Sequence, residues 1–251
     1  MKRNLSRLAL ILALAMTLSG CSGKASPAGT ITPTPAAAPK TQAETEAEPE
    51  VQAETEEIPV SLGRIVGGAY ENAYAGYGCT LGDDWEYYTA QELQDTTDLT
   101  QEMLQDAEMI EENPEYQTII AMMAENLTDL TSMNVNYTYL NPQARLGTML
   151  LGEEQLIDSV LDQKDAIADA YTQANITLLA MEKTQVSFLG QERWAIRNEA
   201  TITTDNGEIP YYTLQLYEVK PGGTYEVVLT LASYMEDNTE ALLDLFYPVS
   251  E

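Results

Sequence analysis

Histidine is absent from the 251-residue chain. Its absence removes Ser-His-Asp and Cys-His catalytic arrangements and every imidazole metal site at once. Bases are scarce too: 12 Lys and Arg stand against 40 Asp and Glu, a formal net charge of −28. Nucleic-acid affinity comes mainly from Lys and Arg contacts to phosphate, so no nucleic-acid partner is expected. The apolar run from Leu8 to Leu18 is too short for a hydrocarbon core that needs about 20 residues. No phosphate-binding glycine loop is present. Gly67-Gly68 precedes an aromatic strand rather than a helix start, and reads as a flexible beginning to a domain. What the chain does have is 44% apolar residues, enough for one real core.

The N-terminus reads as an address. Lys2, Arg3 and Arg7 form a positive n-region before the apolar run, which fits a signal-peptide h-region. The run ends in Leu18-Ser19-Gly20-Cys21, which resembles the lipobox of bacterial lipoproteins at all four positions. The resemblance implies cleavage before Cys21, acylation of Cys21 (palmitate among its acyl chains), and a protein tethered to the cell membrane on its extracytoplasmic side. Two or more acyl chains hold a protein stably where one is marginal. The other reading of these residues is an ordinary secretory signal with a chance cysteine. A lipidated Cys21 leaves Cys79 without a partner, so no disulfide is expected. Cys79 lies in a strand-like segment and reads as a small packed hydrophobe. Asp83, Asp84 and Glu86 nearby would raise its pKa rather than activate it.

Residues 1–20 are thus assigned to the signal peptide and 21–63 to the lipidated cysteine and a disordered stalk. The stalk is rich in Ser, Thr, Ala, Pro and Glu and has no aromatic residue. Pro33, Pro35 and Pro39 favour extended backbone, and the glutamates between Glu44 and Glu57 repel one another. An acidic binding tail is the alternative role. Residues 64–251 form the folded domain, with seven bases against 33 acids and a net charge of −26. Most of the acidity therefore sits on the domain.

Periodicity orders the elements. Tyr70 to Leu81 reads as an opening strand or hairpin, and Gly82-Asp83-Asp84 as a turn. Leu99, Met103, Ala107 and Ile110 have helical spacing over 95–111, and Asn113-Pro114 ends that helix. A second helix is expected from Glu115, with Tyr116, Ile119, Ile120, Met123, Leu127 and Leu130 in a stripe. Met133 to Tyr139 alternates as a half-buried strand. Residues 155–174 read as one helix. Then come strands over 176–189 and 194–202, a hairpin turn at Asp205-Asn206-Gly207, strands around 212–216 and 225–231 separated by Pro221-Gly222-Gly223, and a short helix with Leu242, Leu245 and Phe246. Helices before and after an antiparallel meander suggest an α+β fold with helices on both faces of one sheet.

Tyr70-Glu71-Asn72-Ala73-Tyr74, Gly76-Tyr77, Leu81 and Trp85, with Gln91-Glu92-Leu93 and Leu189-Gly190-Gln191-Glu192-Arg193-Trp194, resemble the pattern of PsbP-like lipoproteins. Members often carry Pro in the turn before the Trp, where this chain has Gly82-Asp83-Asp84. The resemblance implies an α/β/α sandwich over about 65–250. It also implies a binding or assembly role rather than an enzymatic one.

Candidate chemistry is sparse. Asp83, Asp84 and Glu86 beside Trp85 place three carboxylates together; a hard cation takes such ligands, and a solvated turn is the plainer reading. Glu108, Glu111 and Glu112 crowd a helix end as a solvated face. Glu153 and Glu154 suit a helix N-terminus. Lys164, Lys183 and Lys220 have polar or acidic neighbours, which keep them charged. Tyr70, Tyr74, Tyr77, Tyr87, Tyr88, Tyr211, Tyr212 and Tyr217 near edges and turns are either sheet packing with surface hydroxyls or a binding surface.

The expectation is a lipid-anchored binding or assembly module with no catalytic residues, no cofactor and no metal. Its partners would be the membrane, through the anchor, and an envelope protein or ligand. The alternatives are a carboxylate-dependent envelope hydrolase and a calcium-dependent adhesion module.

Overall fold

The computed structural model describes residues 61–89, 91–93, 118–219 and 224–249. Cys21, most of the stalk, the helix expected over 95–111, Glu108, Glu111, Glu112, Lys220 and Pro221-Gly222-Gly223 lie outside them. Eleven strands occur among the described residues: β1 (Arg64–Val66), β2 (Ala69–Asn72), β3 (Tyr77–Thr80), β4 (Trp85–Tyr87), β5 (Thr118–Asn126), β6 (Thr131–Tyr139), β7 (Ile176–Phe188), β8 (Gln191–Thr204), β9 (Gly207–Val219), β10 (Tyr225–Tyr234) and β11 (Phe246–Pro248). Three α-helices, α1 (Pro142–Leu150), α2 (Glu153–Leu161) and α3 (Lys164–Gln173), fall between β6 and β7. A 3₁₀ turn spans Glu240–Leu245.

The strands make two antiparallel sheets. The small one runs β1-β2-β3-β11 and the large one β4-β5-β6-β10-β9-β8-β7. This overturns the α/β/α sandwich. One face of the large sheet is covered by the small sheet: Tyr70, Tyr77, Cys79 and Phe246 share a core with Met133, Val135, Tyr137, Leu214, Leu216, Val227 and Leu229. Helices pack on the other face. Leu156, Ile157 and Val160 of α2 meet Met181, Ile196, Tyr217 and Val228, and Tyr171 of α3 meets Ile176, Ile202, Tyr211 and Tyr234. The described layers are therefore sheet, sheet, helix. Close approach of the small sheet's strands shows at Gly78, where a Cβ would lie 2.5 Å from the Tyr70 carbonyl oxygen and 2.9 Å from the Tyr247 ring.

The helix expected from Glu115 is instead strand β5 where the chain is described. Ile119, Met122 and Ala124 face the small sheet, while Ile120 and Met123 face the other way toward Tyr88 and Leu93. A bulge between Ile120 and Met122 shifts the register. A strand buried on both faces, with one parity shift, reproduces the three-to-four spacing of a helix. Asn126 then folds the hairpin, its Oδ1 accepting from the backbone N–H of Thr128 and Asp129. β6 is also more enclosed than its alternation implies, since all nine residues are buried. The single helix over 155–174 is two, broken at Asp162-Gln163. The Asp205-Asn206-Gly207 turn joins β8 to β9, and Leu189-Gly190, with φ of 54° and 77°, joins β7 to β8. No described helix is long and apolar enough to cross a membrane.

Candidate functional site

The helix-facing side of the large sheet carries an interior polar face. Along β6, Met133, Val135, Tyr137 and Tyr139 turn to the small sheet, so Ser132, Asn134, Asn136 and Thr138 turn the other way. Sheet register sets neighbours beside them. Thr138 stands across from Glu226, and Asn134 from Thr230. Thr230 in turn stands across from Gln215, and Thr213 from Asn198. All of these side chains are buried.

Part of this face is a closed hydrogen-bond network. Asn198 Nδ2 donates to Thr213 Oγ1 at 2.9 Å and to Gln215 Oε1 at 3.3 Å. Gln215 Nε2 donates to Thr230 Oγ1 at 3.4 Å, and the Tyr217 hydroxyl donates to Gln215 Oε1 at 3.3 Å. Other atoms are left over. Asn134 Oδ1, Thr138 Oγ1 and Asn198 Oδ1 are buried and have no hydrogen-bond partner among the described residues. Each such atom costs free energy on the order of 1–3 kcal/mol.

Glu226 is the outlying group. It is 3% exposed, and its carboxyl makes no hydrogen bond or ion pair with a described residue. Burial pushes its pKa up from 4.5 to about 7, because the charged form loses water without compensation. Its negative charge in turn helps hold the buried Tyr217 hydroxyl's pKa well above the ordinary phenol value, behind the larger effect of burial. Next to the Glu226 carboxylate the face offers the Thr138 hydroxyl, while Asn134 stands four positions and Asn198 six positions further along the sheet. The face suits a ligand with N–H or O–H donors, and a positive charge would keep Glu226 ionised.

No family model matches this chain, and no curated protein matches it either.

The tyrosines turn out to be interior groups. Tyr70, Tyr74, Tyr77, Tyr211 and Tyr217 are buried, leaving Tyr87, Tyr88 and Tyr212 half-buried. Asn72, fully buried, is their hub near the small sheet. Its Nδ2 donates to the hydroxyls of Tyr70 at 2.6 Å and Tyr137 at 2.7 Å, and its Oδ1 accepts from Ala75 N–H. The hydroxyls of Tyr70 and Tyr137 pass the chain on to the carbonyls of Leu62 and Ser61. The cluster clamps the point where the stalk segment joins the domain. Surface hydroxyls and a tyrosine docking surface, both weighed from the sequence, do not describe these five residues.

Cys79 lies in β3 with no exposure, packed as its sequence context suggests. Its pKa rises to about 11 because of burial first, with the Tyr87 hydroxyl bonding against that shift; the carboxylates of the following turn are not the cause. Asp83, Asp84 and Glu86 are exposed, and among the described residues no three carboxylates or thiols converge to hold a metal ion. Glu153 and Glu154 open α2 and also pin it to the sheet. Glu153 pairs with Arg193, while Glu154 and Asp158 pair with Lys183 at 2.9 and 2.7 Å. The bonds from Asp158 and then Glu154 raise the Lys183 pKa, so that ammonium is firmly charged.

Glu226 is not among the residues to which the sequence points. On an alternating strand it reads as an outward-facing acid between Tyr225 and Val227. A signal was nonetheless there: β10 lies in the meander, and an interior strand of a helix-covered sheet buries both faces.

Proposed function

We propose that this chain is a lipid-anchored extracytoplasmic protein whose domain is a non-catalytic binding module, and that the polar face around Glu226 holds its ligand. The anchor reading rests on Leu18-Ser19-Gly20-Cys21. The binding reading rests on one observation: a buried carboxyl with no partner among the described residues, across from Thr138 Oγ1, which has none among them either. Buried ionisable groups without compensation are costly for stability and concentrate at functional sites. The ligand class that completes the face is a small donor-rich cation, such as an amine.

Two measurements test this reading. Cys21→Ala should leave the protein unprocessed or release it from the membrane fraction, and unchanged retention would refute the anchor. Thermal melts of the full chain with ethanolamine, spermidine or glucosamine should show stabilisation that Glu226→Gln abolishes. Equal stabilisation of both chains would refute the site.

One observation favours a second reading, a carboxylate-dependent hydrolase. A carboxyl with a pKa near 7 is suited to donate a proton at neutral pH. Turnover of chromogenic glycosides or esters that disappears in Glu226→Gln would place this reading above the first.

A further inference from the structure

Strand β7 is a 13-residue edge of the large sheet. It pairs with β8 on one side only, and no described residue hydrogen-bonds to its other side. The two-residue loop Leu189-Gly190 makes Phe188 and Gln191 a hydrogen-bonded pair, and the pairing then alternates. Phe188, Val186, Thr184, Glu182 and Ala180 thus direct their backbone groups to β8. Ser187, Gln185, Lys183 and Met181 direct theirs outward, four residues of open N–H and C=O groups. No proline interrupts the strand. Its bulge at 178–180 leaves Leu179 61% exposed. Such an edge is a template for another strand.

The charge around this edge identifies what fits it. The cations nearby are consumed within the chain: Lys183 by Glu154 and Asp158, Arg193 by Glu153, and Arg197 by Asp237 and Glu240. Glu182, Glu192 and Glu199 are exposed on β7 and β8 and have no ion pair among the described residues. A second copy of the chain would bring its own acidic edge against this one, on a domain of net charge −26, and would be repelled. We infer that β7 is a docking edge for an extended, Lys- or Arg-bearing segment of a partner protein, which adds an eighth strand to the large sheet. Backbone bonds supply the pairing, and basic side chains on the small-sheet face meet Glu182 and Glu199. This surface is separate from the face around Glu226, so either proposal can fail alone.

The test is an amide NMR titration of the full chain with a blocked octapeptide alternating Lys with Val and Thr. The N–H signals of Met181, Lys183, Gln185 and Ser187 should shift. Methylating alternate peptide nitrogens, or replacing Lys by Glu, should each weaken binding at least tenfold. Gln185→Pro, which removes an outward N–H and leaves the bonds to β8, should weaken it similarly while the rest of the spectrum is retained. If that variant does not fold, the methylated peptide carries the test. Equal binding of the methylated peptide, or shifts confined to other strands, would overturn the inference. Dimerisation of the chain alone through β7, seen by sedimentation, would overturn it in favour of self-pairing.

Discussion

Glu226 on β10 stands directly across from Thr138 on β6, and neither side chain has a hydrogen-bond partner among the described residues. Neighbouring pairs across a sheet normally stabilise it. This one does the opposite whenever the carboxyl is ionised.

The consequence for stability runs with pH. The folded-state pKa of Glu226 is raised from 4.5 to about 7, so the folded chain holds this proton more tightly than the unfolded chain does. Its contribution is fully present below about pH 4.5 and is lost as pH rises through 7. The size of the loss is roughly 3 kcal/mol, from about 1.4 kcal/mol for each pKa unit. Glu226→Gln should therefore raise Tm at pH 8 by on the order of 5–10 °C and leave it nearly unchanged at pH 4. Melts at several pH values check this, and a parallel pH dependence for both chains would count against a buried, uncompensated Glu226.

Asn72 ties Tyr70, Tyr137 and the Ala75 backbone together from a fully buried position. Asn72→Ala removes three hydrogen bonds and leaves two phenols and an amide short of a partner. The expected cost is about 2–4 kcal/mol, read by urea denaturation. Tyr137→Phe removes the bond to the Ser61 carbonyl and the one accepted from Asn72 Nδ2, and should cost about 1–3 kcal/mol.

Cys79 should be inert. In a Cys21→Ser chain, which leaves a single thiol, a thiol reagent at pH 8 should label nothing until the protein is denatured. Rapid labelling of the native chain would contradict both its burial and its pKa of about 11.

The ion pairs that pin α2 to β7 should matter little individually. Lys183 bonds to Glu154 and Asp158 at the surface, with side chains 48% and 53% exposed for the two acids. Lys183→Ala should lower Tm only slightly, and less still at high salt. Its Nζ also lies 4.9 Å from the Trp194 ring centroid, so loss of that contact is included in the same small change.

The meander was legible because its signals are local. Asp205-Asn206-Gly207 demands a tight turn, and Met133, Val135, Tyr137 and Tyr139 alternate cleanly. The large sheet's two faces were not legible in the same way. Ile119, Ile120, Met122 and Met123 are apolar on both sides of β5, so period alone could not separate strand from helix. What covers each face is a tertiary fact: β1, β2, β3 and β11 are short, from three to four residues each, and only their docking makes them a layer. Glu226 stayed hidden for that reason. Its identity suggests solvent, and its burial comes from what packs over β10. The tyrosine cluster was partly visible as the Tyr70-Asn72-Tyr74 motif, while the partnership of Asn72 with Tyr137, 65 positions away, was not.

The most direct measurement is the titration of Glu226 itself. Carboxyl ¹³C signals of the glutamates are followed from pH 3 to 9 in the full chain and in Glu226→Gln. One signal should show a midpoint near 7 and vanish in the variant. If every glutamate titrates with an ordinary midpoint close to 4.5, the carboxyl is solvated or paired, and the polar face around it is not a ligand site.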